Sequence, residues 1–237
     1  MNRPRRLLHR LTLPLVVLLA LSACTGGESD SGEGEITEDC AVEPCDNGEG
    51  APGLGAFEIP QGYLGVETLG ALTPRPEGPW IDYLPAGSKD NFSTDTQAIN
   101  LQHTGNWISY VSVGQYSQLS LEADTDDIED AADKALSAWT YGSSFECTKG
   151  AEYSPVEVTY TRVDGFPAAL ATTKITWDDG GSCTTDTFED VALLLVELED
   201  GEVFAGTASI PESGTEYYDA ALDALLQTTF HDRETLM

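Results

Sequence analysis

Apolar and polar residues alternate with a period of two over several segments of the chain, the pattern that predicts half-buried β-strands. PWIDYLP predicts a short strand, and NWISYVSVGQYSQLSL predicts a long one because it is rich in aromatic and β-branched residues. Two later segments place a turn between apolar runs, at Val163-Asp164-Gly165 and at Asp200-Gly201. Both segments are typical of antiparallel β-hairpins.

A period of three to four residues predicts two amphipathic helices. We expect Asp126 and Glu129 to cap the first helix, which ends near Gly142. Ser213 and Glu216 predict an S-x-x-E capping box at the start of the second. The apolar positions are Ile128, Ala131, Ala132, Ala135, Leu136 and Trp139 in the first helix, and Tyr218, Ala221, Leu222, Leu225, Leu226 and Phe230 in the second.

These elements predict one folded domain over residues 63–230, of the α+β class, with an antiparallel β-sheet flanked by helices. Residues 24–62 are rich in Gly, Ser, Pro and acids, so we expect a disordered acidic tether that cannot bury enough apolar surface to fold. We expect residues 231–237 to form a tail.

The order of these parts from Trp107 to Phe230, together with the segment GFPAAL, resembles the actinobacterial LpqN-like lipoproteins. The resemblance implies the α/β/α sandwich that this family shares with the photosynthetic PsbP proteins. It also implies a small extracytoplasmic lipoprotein that binds partners or small ligands, usually without catalysis. The family supplies no catalytic motif that could be carried over to this chain.

Residues 1–23 have the pattern of a bacterial signal peptide. Four arginines precede a nearly apolar run, Leu11–Leu21, which is too short to span a bilayer because a spanning helix needs about 20 residues. Leu21-Ser22-Ala23-Cys24 resembles a lipobox, whose cysteine is lipidated and becomes the mature N-terminus. Arg5-Arg6 leaves twin-arginine export open, but His9 stands where that signal favours an apolar residue, so general secretion is favoured.

Lipid on Cys24 would hold the protein on the outer face of the cell membrane without spanning it. Each buried methylene contributes about 0.8 kcal/mol, so two or three acyl chains such as palmitate anchor a domain that one chain would release. Without its four signal arginines the chain has 7 Lys and Arg against 41 Asp and Glu, a formal charge of −34. This charge excludes nucleic acid as a partner and adhesion to anionic lipid, and it favours a soluble monomer.

Four further cysteines are an even number, which in an exported protein indicates disulfides. We predict bonds between Cys40 and Cys45, which are close in sequence, and between Cys147 and Cys183. The second bond closes a loop of about 37 residues and would stabilise the fold by roughly 3 to 4 kcal/mol. The other two pairings stay open.

The sequence predicts no metal site and no cofactor. C-x4-C is not a common zinc spacing, and the mature chain has only His103 and His231 as histidine ligands. The acidic run that starts at Asp124 lacks the glycine and glutamate that an EF-hand requires at its sixth and twelfth positions. Favourable interaction with a helix dipole explains these acids without a metal.

No segment has the spacing of a known catalytic motif. His103 in LQHTGNW is a candidate base, but no nucleophile stands beside it, so we expect an exposed loop histidine. Among the aromatic candidates for a ligand surface, we expect Trp139 in the core and Trp177, which precedes an acidic turn, to be more exposed than Trp107 or Trp139. The other aromatic candidates are Trp107, Tyr110, Tyr141 and Tyr153.

The favoured function is a non-catalytic binding module for a cell-envelope ligand or a protein partner. Two alternatives stay open: a cell-envelope hydrolase with a site near His103, and a structural envelope lipoprotein.

Overall fold

The computed structural model describes residues 57–83, 93–103, 107–117, 127–141, 145 and 147–231. All of them belong to one compact unit, Gly50–Met237. The predicted signal peptide, Cys24, Cys40, Cys45, most of the tether and most of the tail lie outside the described residues. No helix in the described ranges is long and apolar enough to cross a membrane.

Within the described residues the main sheet has eight strands, and every neighbouring pair is antiparallel. Its spatial order is β3-β4-β5-β10-β9-β8, and both β6 and β7 pair with β8 beyond that. The strands are β3 (Ile81–Tyr83), β4 (Ser93–Gln102), β5 (Ile108–Tyr116), β6 (Glu152–Tyr153), β7 (Glu157–Val163), β8 (Phe166–Thr176), β9 (Phe188–Glu197) and β10 (Val203–Pro211).

A second, three-stranded sheet joins the two ends of the domain. β1 (Tyr63–Val66) and β11 (Thr229–Phe230) both pair with β2 (Ala71–Pro74), and a 3₁₀ turn, Glu67–Leu69, connects β1 to β2. Phe230, which was predicted on the face of the last helix, therefore belongs to a strand.

The two helices lie on opposite faces of the main sheet. α1 (Ile128–Thr140) packs against β7, β8 and β9, whereas α2 (Tyr218–Leu226) and the small sheet pack on the other face. The part of the chain that the structure describes is mostly antiparallel β-sheet with two α-helices, which confirms the predicted α+β class.

The central strands β9 and β10 are buried on both faces, which explains their nearly continuous apolar sequence. Alternate side chains of β9 point to opposite faces. Val191, Leu193 and Leu195 belong to the core on the α1 side, and Ala192 and Leu194 to the core on the α2 side.

Both predicted hairpin turns are present. The β7–β8 turn places Asp164 at φ 50° and Gly165 at φ 89°, and the β9–β10 turn places Gly201 at φ 81°. Two successive residues with positive φ are what a type I′ hairpin turn requires, and its backbone twist matches that of the strands it joins.

The first turn of α1 is capped by Asp127. Its carboxylate accepts hydrogen bonds from the N–H groups of Glu129 (3.0 Å) and Asp130 (3.3 Å). The residue predicted for this role, Asp126, lies outside the described residues. Trp139 is only partly buried, although it packs against the core on the α1 side as predicted.

The capping box predicted for the second helix is wrong. Ser213 lies in a 3₁₀ segment, Glu212–Tyr217, and α2 begins only at Tyr218 without a side-chain cap. The hydroxyl of Ser213 donates instead to Asp186 Oδ2 (3.0 Å), and its N–H donates to Asp186 Oδ1 (3.1 Å). Ser213 therefore bonds to the carboxylate of Asp186, which is distant in sequence, and not to the first turn of a helix as the sequence pattern predicts.

Candidate functional site

A buried carboxyl group lies at the start of β9, on the α1 side of the sheet. Only 3% of Glu189 is exposed. Its Oε2 accepts a hydrogen bond from Trp107 Nε1 (2.8 Å), and its Oε1 accepts one from the Ser209 hydroxyl. β10 brings Ser209 to this place because the register pairs it with Val191, two residues from Glu189 on the same face.

Burial raises the pKa of Glu189 from 4.5 to about 7. The hydrogen bonds from Ser209 and Trp107 favour the charged form and oppose this rise, whereas the nearby carboxylates of Asp186 and Asp190 add to it. A buried acid with such a pKa in an aromatic surrounding is a candidate functional group.

Two aromatic rings, those of Trp177 and Phe145, lie against the indole of Trp107 that binds Glu189. The centroid of Trp107 lies 5.7 Å from that of Trp177 and 6.2 Å from that of Phe145, and the last two are 6.5 Å apart. These spacings are those of interacting aromatic pairs.

The prediction that Trp177 is the most exposed of the three tryptophans is wrong. Only 5% of it is exposed, whereas Trp107 and Trp139 are each half-buried. The segment after the WDDGG turn folds back, so that Trp177 Nε1 donates to the carbonyl of Asp186 (2.5 Å) and its N–H to the carbonyl of Thr187 (3.0 Å).

A disulfide between Cys147 and Cys183 holds this returning segment, as predicted. Within the same loop Asp179 accepts a hydrogen bond from Gly181 N–H (2.8 Å) and pairs with Lys149 (3.3 Å). These two contacts lower the pKa of Asp179, the hydrogen bond from Gly181 most of all. Asp179 therefore stabilises the turn that follows Trp177.

His103 is not the exposed loop residue that the sequence predicts. It is half-buried, and its Nε2 lies 2.7 Å from the hydroxyl oxygen of Ser109, of which 0% is exposed. Its ring also lies against Gly214, where an added Cβ would come within 2.7 Å of Nε2. Gly214, in the 3₁₀ segment before α2, thus lies close to both His103 and Ser109.

His103 and Glu189 do not form one catalytic array. Ser109 is two residues from Val111 along β5, so its side chain lies on the same face as that of Val111, which belongs to the core on the α2 side. Ser209 alternates along β10 with Ala208 and Ile210 of that same core, so it and Glu189 lie on the α1 side. The sheet therefore separates the histidine from the buried acid.

An open cavity of about 550 Å³, here called the Tyr63 cavity, lies where the start of β1 meets β3 and β4. Tyr63 is 40% exposed there, and Arg75 forms an ion pair with Asp82 on its wall. Its lining residues are Ile59, Pro60, Gln61, Gly62, Tyr63, Leu64, Arg75, Asp82, Tyr83, Thr96, Gln97 and Ala98.

A second open cavity of about 550 Å³, here called the Phe230 cavity, lies at the end of the sheet where β7–β8 and β9–β10 turn. It is lined by Leu69, Phe166, Leu198, Glu199, Asp200, Phe230 and His231. Among the described residues there is no group of three or more His, Cys, Asp or Glu side chains arranged to hold a metal ion.

No protein-family model matches the sequence, and no curated protein matches it. Among solved structures the chain is similar to LpqN of Mycobacterium tuberculosis, a protein involved in cell envelope biogenesis, with 16% identity, a TM-score of 0.33, and coverage of 74% of this chain and 82% of that one. It is also similar to a Pseudomonas aeruginosa protein of unknown function, PA94, with 12% identity, a TM-score of 0.33, and coverage of 63% and 95%. At this TM-score neither similarity supports a conclusion about the present chain.

Proposed function

We propose that the protein is exported, anchored by lipid on Cys24 to the outer face of the cell membrane, and binds a ligand or protein partner of the cell envelope without catalysing a reaction. The signal pattern with its lipobox supports the anchor. The Cys147–Cys183 disulfide supports an oxidising location, because such bonds persist outside the cytosol. The order of elements from Trp107 to Phe230 supports a distant relation to the LpqN-like lipoproteins and their PsbP-like sandwich.

The observation that carries the binding function is the Tyr63 cavity. It combines an exposed aromatic ring, an ion pair and hydrogen-bonding side chains in an open hollow, and such a mixture suits recognition of a ligand. Its lining thus offers aromatic, charged and hydrogen-bonding contacts to a ligand.

The alternative of a cell-envelope hydrolase rests on the short distance between His103 and Ser109. A nucleophile with a base within hydrogen-bond reach is the arrangement that acyl transfer needs. Ser109, however, is fully buried, so a substrate carbonyl would not reach its hydroxyl in this structure. A structural envelope lipoprotein is the third candidate, and it requires neither cavity to be occupied.

Native mass spectrometry of the protein purified from its own membranes tests the binding function. We expect a co-purified mass that is retained in Tyr160→Ala and reduced in Tyr63→Ala. Tyr160 is the matched control because it is an exposed tyrosine, 50% accessible, on β7 and outside the cavity. Equal retention of the ligand by both variants would remove the Tyr63 cavity from the proposal, and the absence of any bound mass would favour the structural role.

A further inference from the structure

The Phe230 cavity is built from parts that are distant in sequence. Phe166 begins β8, Leu198 follows the end of β9, and Phe230 is the last residue of β11. Two backbone contacts hold these parts together: Phe230 N–H donates to Asp164 Oδ2 (2.8 Å), and His231 N–H donates to the carbonyl of Gly70 (3.0 Å). The hollow is therefore a fixed part of the fold.

Its floor is apolar and aromatic. The ring of Phe230 meets those of Phe166 (5.4 Å between centroids, 82°) and Phe204 (5.6 Å, 85°) in edge-to-face contacts. Phe166 and Phe230 are only partly buried and line the cavity together with Leu69 and Leu198. Such a floor can receive the methylene stem of a long side chain, and the ring faces attract a cation.

The rim is negatively charged. Glu199 and Asp200 are exposed at the β9–β10 turn, and none of the described lysines and arginines lines the cavity. Lys149 and Lys174 pair with acids elsewhere, Asp179 and Asp190. Arg162 lies near the end of β7, and its guanidinium donates a hydrogen bond to the carbonyl of Gly165. The next residue, Val163, faces the cavity side of the sheet, so the side chain of Arg162 starts from the opposite face.

The mouth of the cavity is wide. Glu199, Asp200 and His231 are all exposed, and Gly165 and Gly201 at the neighbouring turns have no atom within 4 Å of where a Cβ would lie. A site for a small molecule buries about 70 to 90% of its ligand. A hollow this open suits a side chain that a larger partner presents.

We propose that the Phe230 cavity is a docking site for a lysine or arginine side chain of a partner protein, with the stem on the aromatic floor and the charged group between Glu199 and Asp200. The charge of the mature chain would also draw a basic partner toward the domain and speed the encounter. This inference rests on the proposed function in one respect, namely that the partner meets the domain outside the cell membrane.

Titration of the full-length protein with the peptide Ac-Ser-Leu-Lys-Leu-Ser-NH₂, followed by NMR, tests the proposal. We expect shifts of the amides of Gly201 and His231, and no comparable shifts when norleucine replaces the lysine, because it keeps the stem and removes the charge. The variant Glu199→Gln/Asp200→Asn should weaken binding about fivefold, which is about 1 kcal/mol, and added salt should weaken it further in the wild type.

The control variant is Glu152→Gln/Glu157→Gln, which removes the same charge from exposed positions further along the sheet. It should bind the peptide like the wild type. Equal binding of the norleucine peptide, an equal loss in the control variant, or no binding of the lysine peptide would each overturn the proposal. The peptide result does not depend on the membrane anchor, whereas a Cys24→Ala protein that stays on membranes would overturn the anchor and leave the cavity untouched.

Discussion

Replacing Glu189 by glutamine should change how the stability of the protein depends on pH. The pKa of this carboxyl is about 7 in the folded chain and 4.5 ordinarily, so the folded state binds the proton more tightly than the unfolded state. The contribution of this carboxyl to the free energy of unfolding is then fully present below about pH 4.5, decreases as the pH rises toward 7, and is lost above pH 7. Glutamine does not titrate, so the stability of the variant does not decrease with pH for this reason.

The size of the effect follows from the two pKa values. They differ by about 2.5, and one pKa unit corresponds to about 1.4 kcal/mol, so the charged side chain costs about 3 kcal/mol at pH 8 relative to pH 4. Glutamine can still accept a hydrogen bond from Trp107 or Ser209, but it loses the stronger bonds to a carboxylate. We therefore expect the free energy of unfolding of Glu189→Gln, relative to that of the wild type, to increase by up to about 3 kcal/mol as the pH rises from 4.5 to 8.

Urea unfolding at steps from pH 4.5 to 8.5, followed by circular dichroism, measures the difference. Tryptophan fluorescence serves as a second probe, because Trp107 contacts the altered side chain. Glu157→Gln is the control, since it removes an exposed carboxyl from β7 of the same sheet. A free-energy difference between Glu189→Gln and wild type that stays constant across this pH range would refute the reasoning.

Three further predictions concern the anchor, the disulfides and the histidine. Cys24→Ala should leave the protein soluble or unprocessed, and its persistence on membranes after a carbonate wash would contradict lipidation. Non-reducing peptide mapping should join Cys40 to Cys45 and Cys147 to Cys183; a peptide linking Cys40 to either distant cysteine would show a different pairing. His103→Ala should lower stability by about 1 to 2 kcal/mol, since it leaves the buried Ser109 hydroxyl without this partner, whereas His231→Ala, at an exposed position, should be nearly neutral in thermal unfolding. A lost cellular phenotype in a His103→Ala protein of normal abundance would favour the hydrolase.

The central hairpins could be predicted because local sequence alone determines them. The apolar runs of β9 and β10 and the Asp-Gly turns need no knowledge of distant residues. β4 was not predicted, because STDTQAINLQ is mostly polar and only Ala98, Ile99 and Asn100 are buried in it. The strands of the small sheet are too short, four residues or fewer, to show a period.

The errors at the site have a common cause, which is a partner far away in sequence. Ser213 has the local pattern of a helix cap, but Asp186, 27 residues earlier, accepts its hydrogen bonds. Trp177 is covered because the chain returns at Asp186, and His103 is partly covered by Gly214. One signal could have revealed Glu189: it continues the alternation of Val191, Leu193 and Leu195 toward the core and is the acid in that series.

The three-stranded sheet brings the two ends of the folded domain close together. The chain enters the domain through β1 and leaves it through β11, and both strands pair with β2, so the two ends lie within about one strand length, roughly 13 Å. A short linker could therefore join them, and a circular permutant opened at the Asp200-Gly201 turn would keep every strand. In that permutant a tether to the membrane would leave the domain beside the Phe230 cavity, whereas in the natural order it leaves beside the Tyr63 cavity.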